Sequence, residues 1–169
     1  MQPFLTVDGM ELPLQDLSWS RVHFWIPVRQ KETQSASVKL TVLTPVGERG
    51  FAVRIAAMPK TDCRVTFGLR GLWAKSLHCV NEEKELEGHT HAYSSRWGGG
   101  LVIDYRVGFP AFALAPMTDR AAKSEWSQTG NSVSYQISCE IDAKASQEEA
   151  FTIFWGLGFE EVAAATSAK

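Results

Sequence analysis

The residues in this chain best suited to chemistry are histidines and tryptophans. In Gly88-His89-Thr90-His91 two histidines are separated by one residue, and alternate residues of a strand share a face. Two imidazole nitrogens presented in this way can ligate one metal ion. No acid follows closely: Ala92-Tyr-Ser-Ser-Arg96-Trp97 comes next, and only His23 and His78 remain elsewhere. A surface loop using both histidines as ordinary polar groups is the competing reading.

Six tryptophans, at 19, 25, 73, 97, 126 and 155, offer a second chemistry. An indole exposed on a β surface stacks on sugar CH faces while its N–H bonds a hydroxyl. Trp97 stands in Ser94-Ser-Arg96-Trp97-Gly98-Gly-Gly100. Glycines there let the backbone approach a partner closely, and Arg96 can donate to hydroxyls or to a carboxylate. Trp97, Arg96 and Trp73 are the candidate contacts to carbohydrate or to a neighbouring domain. Burial competes with this reading, because large sandwiches also place tryptophans in their cores. Trp19 and Trp25 share a face if Ser18–Ile26 is one strand.

Familiar catalytic signatures are missing from the sequence: GxSxG, GxxxxGK[ST] and HExxH do not occur. Gly98-Gly-Gly100 lacks the strand–loop–helix setting of a dinucleotide turn. Carboxylates such as Asp104 and Glu125 are not brought within working distance by spacing alone. No catalytic residue, cofactor or metal is therefore assigned.

The elements that must position these residues have a period of two. Phe4–Val7, Asp8-Gly9 and Met10–Leu12 predict a hairpin, since Asp-Gly supplies the positive φ of such turns. Ser18–Ile26 reads as a strand closed by Pro27. Ser37–Leu43 alternates with Val38, Leu40 and Val42 on one face, Phe51–Ile55 returns antiparallel, and Cys63–Leu69 follows; together they predict a meander. Leu77–Val80, Leu101–Val107, Ala111–Ala115 and Ser132–Ile141 are further strands, whereas acidic 81–88 reads as a solvated loop or a hairpin rim and polar 118–129 as a loop. Many strands without intervening helices predict an all-β fold, two antiparallel sheets packed face to face or a barrel.

At 169 residues the chain suits one domain with a substantial core. A formal net charge of −2, with acids and bases interspersed, gives no nucleic-acid footprint. No run reaches the roughly 18 apolar residues of a membrane span. Met1-Gln-Pro-Phe-Leu5 has neither the basic segment nor the apolar run of a secretory leader. Three cysteines, Cys63, Cys79 and Cys139, are widely spaced without CxxC; they read as buried thiols and lean to a cytoplasmic setting.

Phe151–Phe159 is aromatic and β-branched, as a buried strand requires. Glu160 to Lys169 is Ala-rich with acids first, which suits the opening turns of a helix. That helix has no stop signal. The expected organisation is a sandwich over 1–157 and a linker-helix start over 158–169, leading toward a further C-terminal domain.

Ser37–Ile55 (SVKLTVLTPVGERGFAVRI) and Arg64–Trp73 (RVTFGLRGLW) resemble the N-terminal β-sandwich, or supersandwich, domain of bacterial glycoside hydrolases. In that family a large antiparallel sandwich precedes an (α/α)6 toroid of six helical hairpins. The resemblance implies that the general acid and base reside in the toroid, so no catalytic residue carries over to this sequence. It implies a non-catalytic domain that supports its catalytic partner on the same chain and shapes the carbohydrate cleft. Two alternatives stand beside it: a stand-alone carbohydrate-binding module, and a metal-dependent cupin-like enzyme using His89 and His91. Nucleic acid and membrane are not expected partners.

Overall fold

The computed structural model describes residues 2–14, 17–22, 26–44, 47, 49–73, 76–78, 85–87, 89–93, 100–104, 112–129 and 132–158. The chain opens with β1 (Gln2–Val7) and β2 (Met10–Glu11), paired antiparallel from Val7 opposite Met10. Their turn places Asp8 at φ 48° and Gly9 at φ 80°, the left-handed values expected for an Asp-Gly hairpin. Asp8 also ties this hairpin to β7 (Cys63–Trp73): its carboxylate accepts the Arg64 N–H at 2.9 Å and its own N–H donates to the Arg64 carbonyl at 2.8 Å.

The following strands are β3 (Ser18–Val22), β4 (Ile26–Glu32), β5 (Ala36–Leu43) and β6 (Gly50–Pro59). Beyond β7 come β8 (Ser76–His78), β9 (Glu85–Glu87), β10 (His89–Tyr93), β11 (Gly100–Asp104) and β12 (Phe112–Thr118). The last three are β13 (Lys123–Thr129), β14 (Ser132–Ala143) and β15 (Glu149–Gly158). They form an eight-stranded sheet, β10-β11-β12-β15-β6-β5-β4-β3, and a five-stranded sheet, β13-β14-β7-β1-β2, with β8-β9 as a separate ribbon. The fold is all-β, with two antiparallel sheets face to face and no helix among the described residues.

Alternation explains the core. From the five-stranded sheet Leu5, Val65, Phe67, Leu69, Ile137 and Cys139 are buried; from the eight-stranded sheet come Val38, Leu40, Val53, Ile55, Phe151, Ile153 and Trp155. Phe67, Ile55, Phe151, Ile153 and Trp155 are wholly inaccessible. Each such side chain contributes about 1.5–3 kcal/mol on leaving water, so the two inner faces hold the sheets together.

Three expectations change. Ser18–Ile26 is not one strand: Val22 pairs with Ile26, so the chain reverses between β3 and β4. Trp25 lies outside the described residues, and Pro27 lies inside β4, near its start, where a missing N–H is tolerated. The predicted meander also splits. β5 and β6 pair edge to edge, whereas β7 joins the other sheet between β14 and β1. Val65, Phe67 and Leu69 on β7 pack face-on against the inner surface of the first sheet, which buries more than edge pairing would. The polar segment 118–129 contains a strand, β13, pairing with β14 from Lys123 opposite Ser138 to Thr129 opposite Ser132. It is an edge strand and needs little apolar content: Trp126 packs on the core while Lys123, Glu125 and Ser127 are exposed.

Residues 159–169, where the linker helix is expected, lie outside the described residues, and β15 extends through Gly158.

Candidate functional site

Trp97 and Arg96 lie outside the described residues. Trp73 ends β7, opposite Val133 of β14. His89 and His91 lie on β10, the edge strand of the large sheet, opposite Asp104 and Val102 of β11. Asp104 and Glu125 belong to different sheets, on β11 and β13. Among the described residues no group of three or more metal-ligating side chains converges.

A concavity lies on the outer face of the five-stranded sheet. It is an open groove of about 670 Å³ bordered by Gln2, Arg70, Glu125, Ser127, Ser134 and Gln136. Register explains why these residues meet. Gln2 is opposite Arg70, Arg70 opposite Gln136, and Gln136 opposite Glu125. One polar row thus crosses β1, β7, β14 and β13, spanning about 14 Å at the usual spacing between strands. In the next row Ser127 and Ser134 bring their hydroxyl oxygens to 2.6 Å.

Arg70 is the most firmly held group in the groove. Its guanidinium carbon lies 5.1 Å from the centre of the Phe4 ring, a cation–π distance. Its two terminal nitrogens donate to the two carboxylate oxygens of Glu11, at 3.1 and 2.7 Å. Phe4 can lie beneath Arg70 because Gly68 leaves room for its ring; a Cβ there would overlap that ring and sit 2.7 Å from the Ile137 carbonyl oxygen. At the far end Lys123 pairs with Glu125, which holds the Lys123 ammonium above its usual range. The two charged residues that line the groove, Arg70 and Glu125, are each paired with a neighbour of opposite charge, Glu11 and Lys123.

Below the groove, inside the sandwich, Trp126, Tyr135 and Trp155 form an aromatic stack. Trp126 and Tyr135 are stacked at 5.3 Å with their planes inclined by 29°, and Tyr135 meets Trp155 edge-on at 5.4 Å. Trp155 serves the core, while Trp126 and Tyr135 pack on the core and also border the groove. A second opening of about 330 Å³ is lined by Pro3, Leu40, Val42, Phe51, Val53 and Leu69, apolar except for Arg29 at its rim.

No described group has the features of a nucleophile or of a tuned acid. Burial raises the thiols of both Cys63 and Cys139, with Asp8 and Asp62 adding to the effect at Cys63; raised thiols are poor nucleophiles. What the groove offers is hydrogen bonding from fixed groups. Sequence reading missed it because its members are scattered over 2–136; the available signal was the polar alternation of Arg64, Thr66, Gly68 and Arg70 against Ser134, Gln136 and Ser138.

No protein-family model matches this chain, and no curated protein matches its sequence. The fold does have solved counterparts. A putative kojibiose phosphorylase from the human microbiome superposes with a TM-score of 0.71 at 10% identity. The likeness covers 99% of this chain and 24% of that one. The chain thus spans about a quarter of the phosphorylase's length, and the large antiparallel sandwich implied by the sequence resemblance is the fold it has.

Proposed function

We infer that this chain is a non-catalytic β-sandwich domain of a larger carbohydrate-active protein, in which glycosidic bonds are broken in a separate helical domain. One observation carries the reading: nearly the whole chain matches, as a single body, a quarter of a phosphorylase named for a sugar. In the parent protein a pair of carboxylates would act as acid and base, outside these residues.

The supporting role calls for a surface on which another domain can pack. The outer face of the eight-stranded sheet provides one. Leu43 is opposite Ala52, Ala52 opposite Phe154, and Phe154 opposite Met117, an apolar row across four strands. Met58 on the same face is 42% exposed and Leu43 40%. Arg54, between Ala52 and Met58 on that face, pairs with Glu148, whereas the outer face of the five-stranded sheet carries ion pairs of Arg64 with Glu140 and Asp142, and of Arg70 with Glu11. The row through Leu43, Ala52, Phe154 and Met117 is the part that fits a helical partner with an apolar face.

Reading the source gene beyond the codon for Lys169 tests the proposal. The expected result is an open frame of several hundred codons with repeated helix-pair patterns. A stop codon directly after Lys169 would overturn it.

A further inference from the structure

We propose that the groove on the outer face of the five-stranded sheet binds a short, uncharged oligosaccharide, with Arg70, Gln136, Gln2 and Glu125 as its hydrogen-bonding row. The inference deepens the domain reading above by naming a ligand class and a surface. Its basis is the register that lines up four polar side chains across four strands, bordering an open groove of about 670 Å³.

Charge selects the ligand class. Arg70 is matched by Glu11 and Lys123 by Glu125, so the groove carries no net formal charge. Of the charged residues that line the groove, an anionic ligand would face Glu125 and a cationic one Arg70. A polyol meets neither penalty. Its hydroxyls both donate and accept, as do the amides of Gln2 and Gln136 and the hydroxyls of Ser127 and Ser134. Glu125 adds an acceptor and Arg70 adds donors, for only two of its five N–H groups are used on Glu11.

Preorganisation supplies the second argument. An arginine normally loses rotamer freedom when it binds, which weakens binding by a flexible side chain. Here Phe4 and Glu11 have already fixed the guanidinium. Phe4, although on an outer face, is only 5% exposed, so the seat beneath Arg70 is built. The strands on either side keep the row straight and rigid, as a weak multi-point binder of sugar requires.

The test is an NMR titration of the ¹⁵N-labelled 169-residue chain with maltohexaose, cellohexaose and kojibiose in turn. Each is taken to about 10 mM, ten times a millimolar Kd. At least one sugar should give saturable shifts concentrated at the amides of Gln2, Arg70, Glu125 and Gln136. Gln136→Ala and Glu125→Gln, both at accessible positions, should weaken that binding about five- to tenfold, one hydrogen bond's worth, while the thermal midpoint holds. Absence of saturable shifts with all three sugars would overturn the proposal, as would shifts unaffected by both variants. Sodium sulfate producing the same shifts more tightly would assign the groove to an anion and overturn it too. The two readings fail separately. A negative titration leaves the downstream-gene result untouched, and a stop codon after Lys169 beside positive titration would leave a free-standing sugar-binding module.

Discussion

Trp155 shows how much rests on single side chains in this sandwich. It is fully buried, meets Tyr135 edge-on at 5.4 Å, and its indole N–H has no acceptor among the described residues. Truncation and conservative replacement should therefore diverge. Trp155→Ala is expected to cost about 3–5 kcal/mol, through lost burial and a cavity. Trp155→Phe should cost less than about 2 kcal/mol, because it also removes a buried donor that lacks a partner. Urea unfolding at constant m-value separates the two, and equal costs would show that the N–H is satisfied. Asp62 gives a residue-scale pH prediction. Lys144 donates to its carboxylate at 2.8 Å and the Ala145 N–H at 2.9 Å, holding its carboxyl below the usual range. A folded-state value below the unfolded one stabilises above the unfolded pKa, about 3.9, and that contribution disappears as pH falls through the folded value. The stability gap between the natural chain and Asp62→Asn should thus be constant from neutral pH down to the carboxylate range and shrink below it. A gap unchanged in strong acid would contradict this account.

Among the strands, β7 is the central element. It pairs with β14 on one side and β1 on the other, sends Val65, Phe67 and Leu69 inward, and places Arg70 in the groove. Gly68 is what lets it do both. Because a Cβ at that position meets a ring and a neighbouring strand's carbonyl, Gly68→Ala should destabilise by about 1–3 kcal/mol. It should also unseat Phe4 from beneath Arg70, so oligosaccharide binding at the groove should fall with stability. Chemical denaturation and the sugar titration, run on the same variant, check both. β13 makes a different point about elements. Its alternation of exposed Lys123, Glu125 and Ser127 with a single packed Trp126 resembles a loop in composition, because an edge strand needs only one anchored residue when its neighbour β14 supplies the ladder.

For the molecule as a whole, the two outer faces differ. One carries the ion pairs of Arg64 and Arg70; the other carries Arg54 paired with Glu148 and presents Leu43, Ala52, Phe154, Met117 and Met58. Purified by itself, the 169-residue chain should show a light-scattering mass that rises with concentration, since apolar surface left uncovered associates. Leu43→Lys together with Met58→Lys should restore a monomer and shift stability by no more than about 0.5 kcal/mol each. A natural chain that stays monomeric at every concentration would speak against a packing role for this face.

The all-β class, the Asp8-Gly9 hairpin and the strands around Val38, Phe51, Ile137 and Phe151 were legible in the sequence, because each depends on a local rule: alternation for one buried face, or a turn that needs positive φ. Which sheet each strand joins was not legible. β6 and β7 are neighbours in sequence yet face each other across the core, and the run Ser18–Ile26, which reads as one strand, ends where β4 turns back onto β3. Pairing is decided by how two apolar faces can be buried at once, a condition on the whole chain. The groove shares that origin. Gln2, Arg70, Glu125 and Gln136 form a row only after β1, β7, β14 and β13 have found their registers, since short-range pattern fixes a residue's face and only tertiary packing fixes its neighbours.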